Sequence, residues 1–208
     1  MIAEGEHLHQ DFKYKISDAA KLARSVSAFA NTEGGRLLIG VRDDGRIHGV
    51  QSEEEVYMME AAANRYCTPE SDIHFESVVA EGHTVVIATI PPAAKRPVCA
   101  LEPDDTASQP AQYRHTAYVR VADQNIVASP VHLSLWRQQQ ITYGTTLHYT
   151  AAEQRLLDTL SATPGLTLNR LTRLCRIPRH RVSDLLARFI RYGIVSMAYA
   201  DGQWRFGC

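Results

Sequence analysis

The chain has 208 residues, 45% hydrophobic and 22% charged, a composition that supports one large or two small globular cores and excludes a disordered or fibrous class. No apolar run approaches the ~20 residues that cross a bilayer and no basic-then-apolar leader opens the sequence, so no membrane partner is expected. Four dispersed cysteines with no C-x-x-C pair fit reduced thiols in a cytoplasmic protein. The net charge of −1 hides an asymmetry: from Thr150 onward nine arginines face four acids, leaving 13 basic and 19 acidic residues before it. A basic module behind an acidic one is an electrostatic footprint of nucleic-acid binding, although solvated arginines produce the same count.

In chain order, Leu8 to Ile16 alternates, with Leu8, Phe12, Tyr14 and Ile16 on one parity and His7, His9, Asp11, Lys13 and Lys15 on the other, which predicts a strand with one wet face. His7, His9 and Asp11 on that face resemble the start of a His-x-His-x-Asp metal site, but no second histidine cluster follows. A helix is expected behind Ser17, with Ala19, Leu22, Ala23, Val26, Phe29 and Ala30 at helical spacing, ending at "NTEGG". "RLLIGV", the turn "RDDG" and "RIHGV" read as a hairpin. "SEEEVYMMEAAANRYC" reads as a second helix, "IHFESVV" and "TVVIATI" as paired strands, "EPDDTASQPAQ" as a polar loop, and "AYVRVADQNIVAS" as a last strand with a turn. "WRQQQITYGTTLHY" looks like a tail helix entering a linker.

From Thr150 the pattern becomes three helices, "TAAEQRLLDTLSAT", "PGLTLNRLTRLCRI" and "PRHRVSDLLARFIRYG", then a hairpin turning at "ADGQ". In the third, Val182, Leu185, Leu186, Phe189 and Ile190 form one apolar stripe, with Pro178 at its start and Gly193 at its stop. This order resembles the winged-helix domains of bacterial transcription regulators. Arg179, His180 and Arg181 then stand where a recognition helix meets base edges, Arg188 and Arg191 where phosphates lie, and Arg205 on the wing. A dimerisation or protein-docking module is the alternative.

"QDFK", "SAFANTEGGRLLIGVRDDGRIHGV", "RPVCA" and "AYVRVADQNIVAS" together resemble the Schlafen AlbA-like domain, also called the divergent AAA domain, over roughly residues 4–137. The expected fold is therefore α+β: a mixed-sheet Schlafen AlbA-like domain over 1–140, a linker over 141–149 and a winged helix over 150–208. Many bacterial members of that family join the domain to a helix-turn-helix and bind nucleic acid. This implies a nucleic-acid-binding protein, duplex DNA favoured and structured RNA allowed, acting as a transcriptional regulator with no cofactor needed for binding. The animal members are metal-dependent nucleases on structured RNA, using three carboxylates. Their positions match Glu6, Asp11 and Asp43, with Asp44 as the alternative to Asp43, and the set would hold Mg²⁺ or Mn²⁺. Asp11 replaces the family's glutamate, and Glu6 and Asp11 have opposite strand parity, so a bend or bulge is required to bring them together. The animal enzymes embrace RNA with two such domains, which a homodimer would supply here.

Three further readings concern phosphates and nucleotides. Asn31, Gly34 and Gly35 sit where the helix hands over to a strand, and either form a turn with positive φ or present backbone amides to a phosphate. Lys13, Lys15, Arg42 and Arg46 line a phosphate groove or a solvated face. The chain lacks G-x-x-x-x-G-K-[S/T], so a P-loop is not supported, and a nucleotide sensor coupled to the winged helix is the third functional class.

Overall fold

The computed structural model describes residues 1–50, 54–103, 113–141 and 150–208. Most of the polar loop expected after Pro103, and all but the first residue of the expected 141–149 linker, lie outside the described residues. The chain divides into two compact units, Met1–Val127 and Ala128–Cys208.

The first unit is built on a β-α-β start. Strand β1 (Gln10–Lys13) leads to helix α1 (Ala19–Asn31) and on to β2 (Gly35–Ile39), which pairs with β1 in parallel. Helix α2 (Glu54–Asn64) follows, then β3 (Cys67–Thr68), β4 (His74–Ala80) and β5 (His83–Ile90). Strands β4 and β5 turn at Glu81–Gly82, both with positive φ, and β5 pairs antiparallel with β2, giving a mixed sheet of order β1-β2-β5-β4. The remaining strands β6 (Cys99–Pro103), β7 (Tyr113–Val121) and β8 (Gln124–Val127) complete a second, antiparallel sheet, β3-β6-β7-β8. The α+β, mixed-sheet architecture expected from the sequence is present.

Helix α1 is the centre of this unit. Ala23, Val26, Ala28, Phe29 and Ala30 are fully buried, packed with Leu37 and Ile39 of β2, Val86, Ala88 and Ile90 of β5, and Ala100 and Tyr118 of the second sheet. A helix buried on nearly every side has to carry small residues, and the run "SVSAFA" provides them. Its N-cap is Asp18, whose side chain accepts from the Lys21 amide, rather than the expected Ser17. The opposite face of the first sheet carries a smaller cluster of Phe12, Leu38, Val41 and Val85.

Polar side chains of α1 bind it to the second sheet. Ser27 Oγ donates to Val98 O at 2.8 Å and accepts from the Tyr118 amide at 3.0 Å. Asn31, 3% exposed, donates from Nδ2 to Val98 O at 2.7 Å and Tyr118 O at 2.9 Å, while its Oδ1 accepts from the Val98 amide at 2.8 Å.

In the second unit, α3 (Pro130–Gln139) is followed by α4 (Ala151–Ala162), β9 (Leu166–Thr167), α5 (Leu168–Cys175), α6 (Arg179–Arg191) and the hairpin β10 (Ser196–Ala200) and β11 (Gln203–Gly207). The hairpin turns at Asp201–Gly202, both at positive φ, and β9 adds to it in the order β10-β11-β9. Leu156, Leu160, Leu171, Val182, Leu186 and Phe189 make its core.

The expected boundary near residue 140 is displaced. Helix α3, read from sequence as a tail of the first domain, packs on α6 within the second unit. Ser134 Oγ and Arg137 Nη2 both donate to Asp184 Oδ1, at 2.6 and 2.7 Å, and Gln138 Nε2 donates to Asp184 O at 3.0 Å. The start of α3 is fixed by a reciprocal cap between Ser129 and His132, and the His132 ring stands against Trp136 and Trp204 at 5.7 and 4.5 Å. Burial there lowers the His132 pKa to about 4.

Two stability predictions follow from these contacts. Asn31→Ala leaves the buried Val98 amide without its acceptor, so urea denaturation should show a loss of about 2–4 kcal/mol. His132 is neutral when folded and protonates near 6.5 when unfolded, so its contribution is complete above pH 6.5 and lost progressively down to about 4. At about 1.4 kcal/mol per pH unit, the acid limb attributable to it is about 3 kcal/mol, and a His132→Gln variant should lack that part of the pH dependence of thermal unfolding.

Candidate nucleic-acid interface

The strand expected over Leu8–Ile16 forms only at Gln10–Lys13, and its polar parity is dry at Asp11, whereas His9 and Lys15 on either side of the strand stay exposed. Asp11 is buried because Arg120 of β7, 3% exposed, covers it, while on the other parity Phe12 packs with Leu38, Val41 and Val85 and buried Gln10 donates to Met1 O and Gly5 O. The Arg120 Nη2 donates to His7 O, Gln10 O and Asp11 Oδ1 at 3.3, 3.1 and 3.3 Å, and Nη1 donates to Asn125 Oδ1 at 2.9 Å. The guanidinium lies over the Phe29 ring at 5.0 Å. Sequence reasoning missed Arg120 as a site residue; the arginine in "AYVRVAD" stands where strand alternation points it inward beside Tyr118, which was the available signal.

Glu6 and Asp11 do come together. A turn at His7–Gln10, closed by hydrogen bonds in both directions, supplies the bend that their opposite parity demanded. Glu6 Oε1 accepts from the Phe12 amide at 2.8 Å. Burial, and then a hydrogen bond with Asp11, raise the Glu6 carboxyl above its ordinary pKa. Burial also pushes Asp11 upward, but the Lys13 ammonium 2.5 Å from Oδ2, the hydrogen bond with Glu6 and the Arg120 guanidinium together hold it below the ordinary range. The two carboxyls are thus shifted in opposite senses, with the proton held more readily by Glu6 than by Asp11, which lies between two cations.

That arrangement does not fit a divalent metal. Asp43 and Asp44 are exposed in the Val41–Ile47 turn, where Asp44 accepts from the Arg46 amide and pairs with its guanidinium. Among the described residues no three His, Cys, Asp or Glu side chains stand close enough to hold an ion. The expected Glu6–Asp11–Asp43 set for Mg²⁺ or Mn²⁺ is thus not assembled, and the reason is electrostatic: Arg120 and Lys13 already occupy Asp11. The His7–His9–Asp11 reading fails likewise, since His7 Nδ1 accepts from the His9 amide and the two rings face Glu4 and Glu33.

The phosphate reading of Asn31, Gly34 and Gly35 is also corrected. Asn31 spends its side chain on Val98 and Tyr118, as above. The Gly34 amide donates to Phe29 O, and a Cβ at Gly34, where φ is +76°, would lie 2.8 Å from Ile90 O. At Gly35 a Cβ would stand 2.4 Å from the Phe29 ring. Close packing, not anion binding, requires these glycines.

Of the basic residues expected in the first unit, Lys13 and Lys15 line one cleft together with Lys21, which sequence reasoning missed; the cleft surrounds Ser17 and Asp18 at the start of α1. Arg42 and Arg46 stand apart from it on the exposed turn, Arg42 lying 4.5 Å over the Tyr14 ring.

In the second unit the expected contacts divide. Arg188 Nη1 donates to Glu153 Oε1 at 2.9 Å, Arg191 Nη1 to Gln138 O at 2.6 Å, and Arg205 to Gly165 O and Asp201. These arginines hold the unit together, and α3 covers the flank of α6 on which Asp184 lies. Arg179, which hydrogen-bonds Asn169, and His180 and Arg181 remain exposed in the first turn of α6. Beside them are Arg170 and Arg173, pointing outward because Leu168, Leu171 and Cys175 point inward, and Arg176 in the left-handed C-cap of α5. Between Asp158 and Asp184 the chain carries five arginines, one histidine and no acid.

Residues 6–129 match the family described as Schlafen, AlbA_2. The chain belongs to this family, whose membership fits a nucleic-acid-binding role. No curated protein matches it. Among solved structures it is similar to the DIP2311 protein from Corynebacterium diphtheriae, with 20% identity and a TM-score of 0.45, covering 74% of this chain and 30% of that one; the chain thus spans under a third of that protein's length. No helix among the described residues is long and apolar enough to cross a membrane.

The opposite shifts of Glu6 and Asp11 give a direct test. Glu6, with its raised pKa, stabilises the fold below the ordinary carboxylate range and loses that contribution as pH rises through the raised value; Asp11, held down, contributes above its ordinary pKa and loses it as pH falls. Glu6→Gln retains an acceptor for the Phe12 amide and a donor to Asp11. It should be at least as stable as the wild type at pH 7–8, with a flatter melting profile as pH rises, whereas Asp11→Asn should melt earlier at pH 7.

Proposed function

We propose that this protein binds nucleic acid through both units, that its C-terminal unit is a winged helix directed to duplex DNA, and that the whole acts as a transcriptional regulator. The observation that carries this reading is α5, the following turn and the first turn of α6, with Arg170, Arg173, Arg176, Arg179, His180 and Arg181 all exposed and no acidic residue in the sequence between Asp158 and Asp184. Such a density of cations, with Glu153 acting on Arg181, is what phosphate neutralisation demands. Three helices and a hairpin joined by a third short strand, in this order, support the winged-helix assignment.

On this reading the cations divide the work. Base contact falls to the first turn of α6, with Arg179, His180 and Arg181, since further along the helix is clamped by α3 and Glu153. Backbone phosphates fall to Arg170, Arg173 and Arg176. A homodimer would present two such surfaces to half-sites about 34 Å apart.

Fluorescence anisotropy with duplex DNA over a range of salt concentrations tests the proposal. Binding should weaken steeply with salt, and the double variant Arg173→Ala/Arg176→Ala should flatten the log–log slope by about 2. Arg191→Ala, which loses only an internal contact to α3, should leave the slope unchanged. Absence of salt-dependent duplex binding at low ionic strength would overturn the reading.

A further inference from the structure

We infer that the N-terminal unit carries a stacking platform for an unpaired nucleobase, formed by Tyr14, His48 and Arg42, so that this unit takes single-stranded nucleic acid. The inference rests on the nucleic-acid-binding reading above and names a ligand class for a surface which that reading leaves open.

Tyr14 follows β1 and is 41% exposed. The Arg42 guanidinium lies 4.5 Å from its ring centroid, and the His48 ring meets it edge-on at 4.8 Å and 65°. The Tyr14 hydroxyl and His48 Nε2 are 3.3 Å apart. Arg42 and His48 are themselves exposed, and none of the three belongs to a hydrophobic core. The backbone beneath is fixed: the Arg42 amide donates to Arg46 O, the Gly45 amide to Arg42 O and the His48 amide to Gly40 O, all within 3.0 Å. The turn that carries Arg42 and His48 is thus held by its own backbone, and ordering it costs little on binding.

Charge decides what such a platform recognises. The turn from Arg42 to Arg46 carries two arginines and two aspartates, so it has no formal net charge with which to draw a phosphate. What it offers is π-surface: phenol, imidazole and a planar guanidinium, the groups on which unpaired bases stack. A base inside a duplex has both faces covered by its neighbours, so the partner must have a free face. For phosphates of the same strand the unit offers Lys15, next to Tyr14 in sequence, and Lys21, both of which line the cleft at the start of α1. Cationic groove and exposed aromatic together are the elements of sequence-tolerant single-strand binding.

The test measures anisotropy of three probes with the full chain: a mixed-sequence single-stranded oligonucleotide, an abasic strand of the same length, and a duplex. The base-bearing strand should bind about tenfold or more tighter than the abasic strand. Tyr14→Ala should bring the two to the same level, while Tyr14→Phe keeps the ring and most of the difference; thermal melting of both variants, expected at the wild-type temperature, verifies the fold. Equal binding of abasic and base-bearing strands by the wild type, or a Tyr14→Ala variant that still distinguishes them, overturns the inference. So does a free mononucleotide that competes as well as the strand. The duplex arm keeps the two ideas separable: duplex binding lost in Arg173→Ala/Arg176→Ala but retained in Tyr14→Ala supports both. Single-strand binding with no duplex binding overturns the duplex reading alone.

Discussion

The N-terminal unit is organised around one buried positive charge. Arg120 has its guanidinium against the Phe29 ring, its donors on the backbone of His7 and Gln10, and its charge on Asp11. A buried arginine is not stabilising in itself; desolvation costs about as much as the ion pair returns. Its effect is to dictate the state of everything near it. Asp11 is held below the ordinary carboxylate range, Lys13 adds a second cation, and Glu6, buried beside Asp11, is raised above its ordinary value. A further divalent cation would enter a site where two cations already stand on Asp11. The same electrostatics that join β7 to β1 therefore decide what chemistry this corner can support.

Much of the fold was legible in the amino-acid order because local rules agreed with the tertiary outcome. The stripe of Val182, Leu185, Leu186 and Phe189 forms α6 where the 3.6-residue period puts it, and the Asp201–Gly202 and Glu81–Gly82 turns supply the positive φ that hairpins need. The site was less legible, since its residues answer to partners distant in sequence. Alternation in β1 predicted a wet polar face, and a strand cannot announce that an arginine 109 residues away will cover it. Asn31 looked like a free polar group at a turn, but its partners Val98 and Tyr118 arrive 67 and 87 residues later. Arg188 and Arg191 looked like solvent-facing cations, but Glu153 and the end of α3 claim them. Lys21 was passed over because it belongs to a helix, while the lysines that share its cleft precede that helix.

A common logic separates working cations from structural ones in both units. Arg120, Arg188, Arg191 and Arg205 each donate to a carboxylate or carbonyl of the same unit, and their charge is spent on the fold. Lys15, Arg170, Arg173, Arg176 and Arg181 are exposed on surfaces with few acids. Composition alone shows a basic half and an acidic half; the hydrogen-bond pattern shows which members of each are at the disposal of a ligand.

Helix α3 has a bearing on how such a protein can be rearranged. Its cap, Ser129 with His132, lies just past the end of β8, and its other end grips Asp184 through Ser134, Arg137 and Gln138. The portable module is therefore Ala128–Cys208 rather than the three helices and hairpin alone. A recombination or gene-fusion event that cut at residue 150 would transplant an α6 stripped of its outer clamp, with the Trp204 face that meets His132 laid bare. A cut after Val127 would move a self-contained part, and the joint between these two pieces is placed where shuffling does least damage.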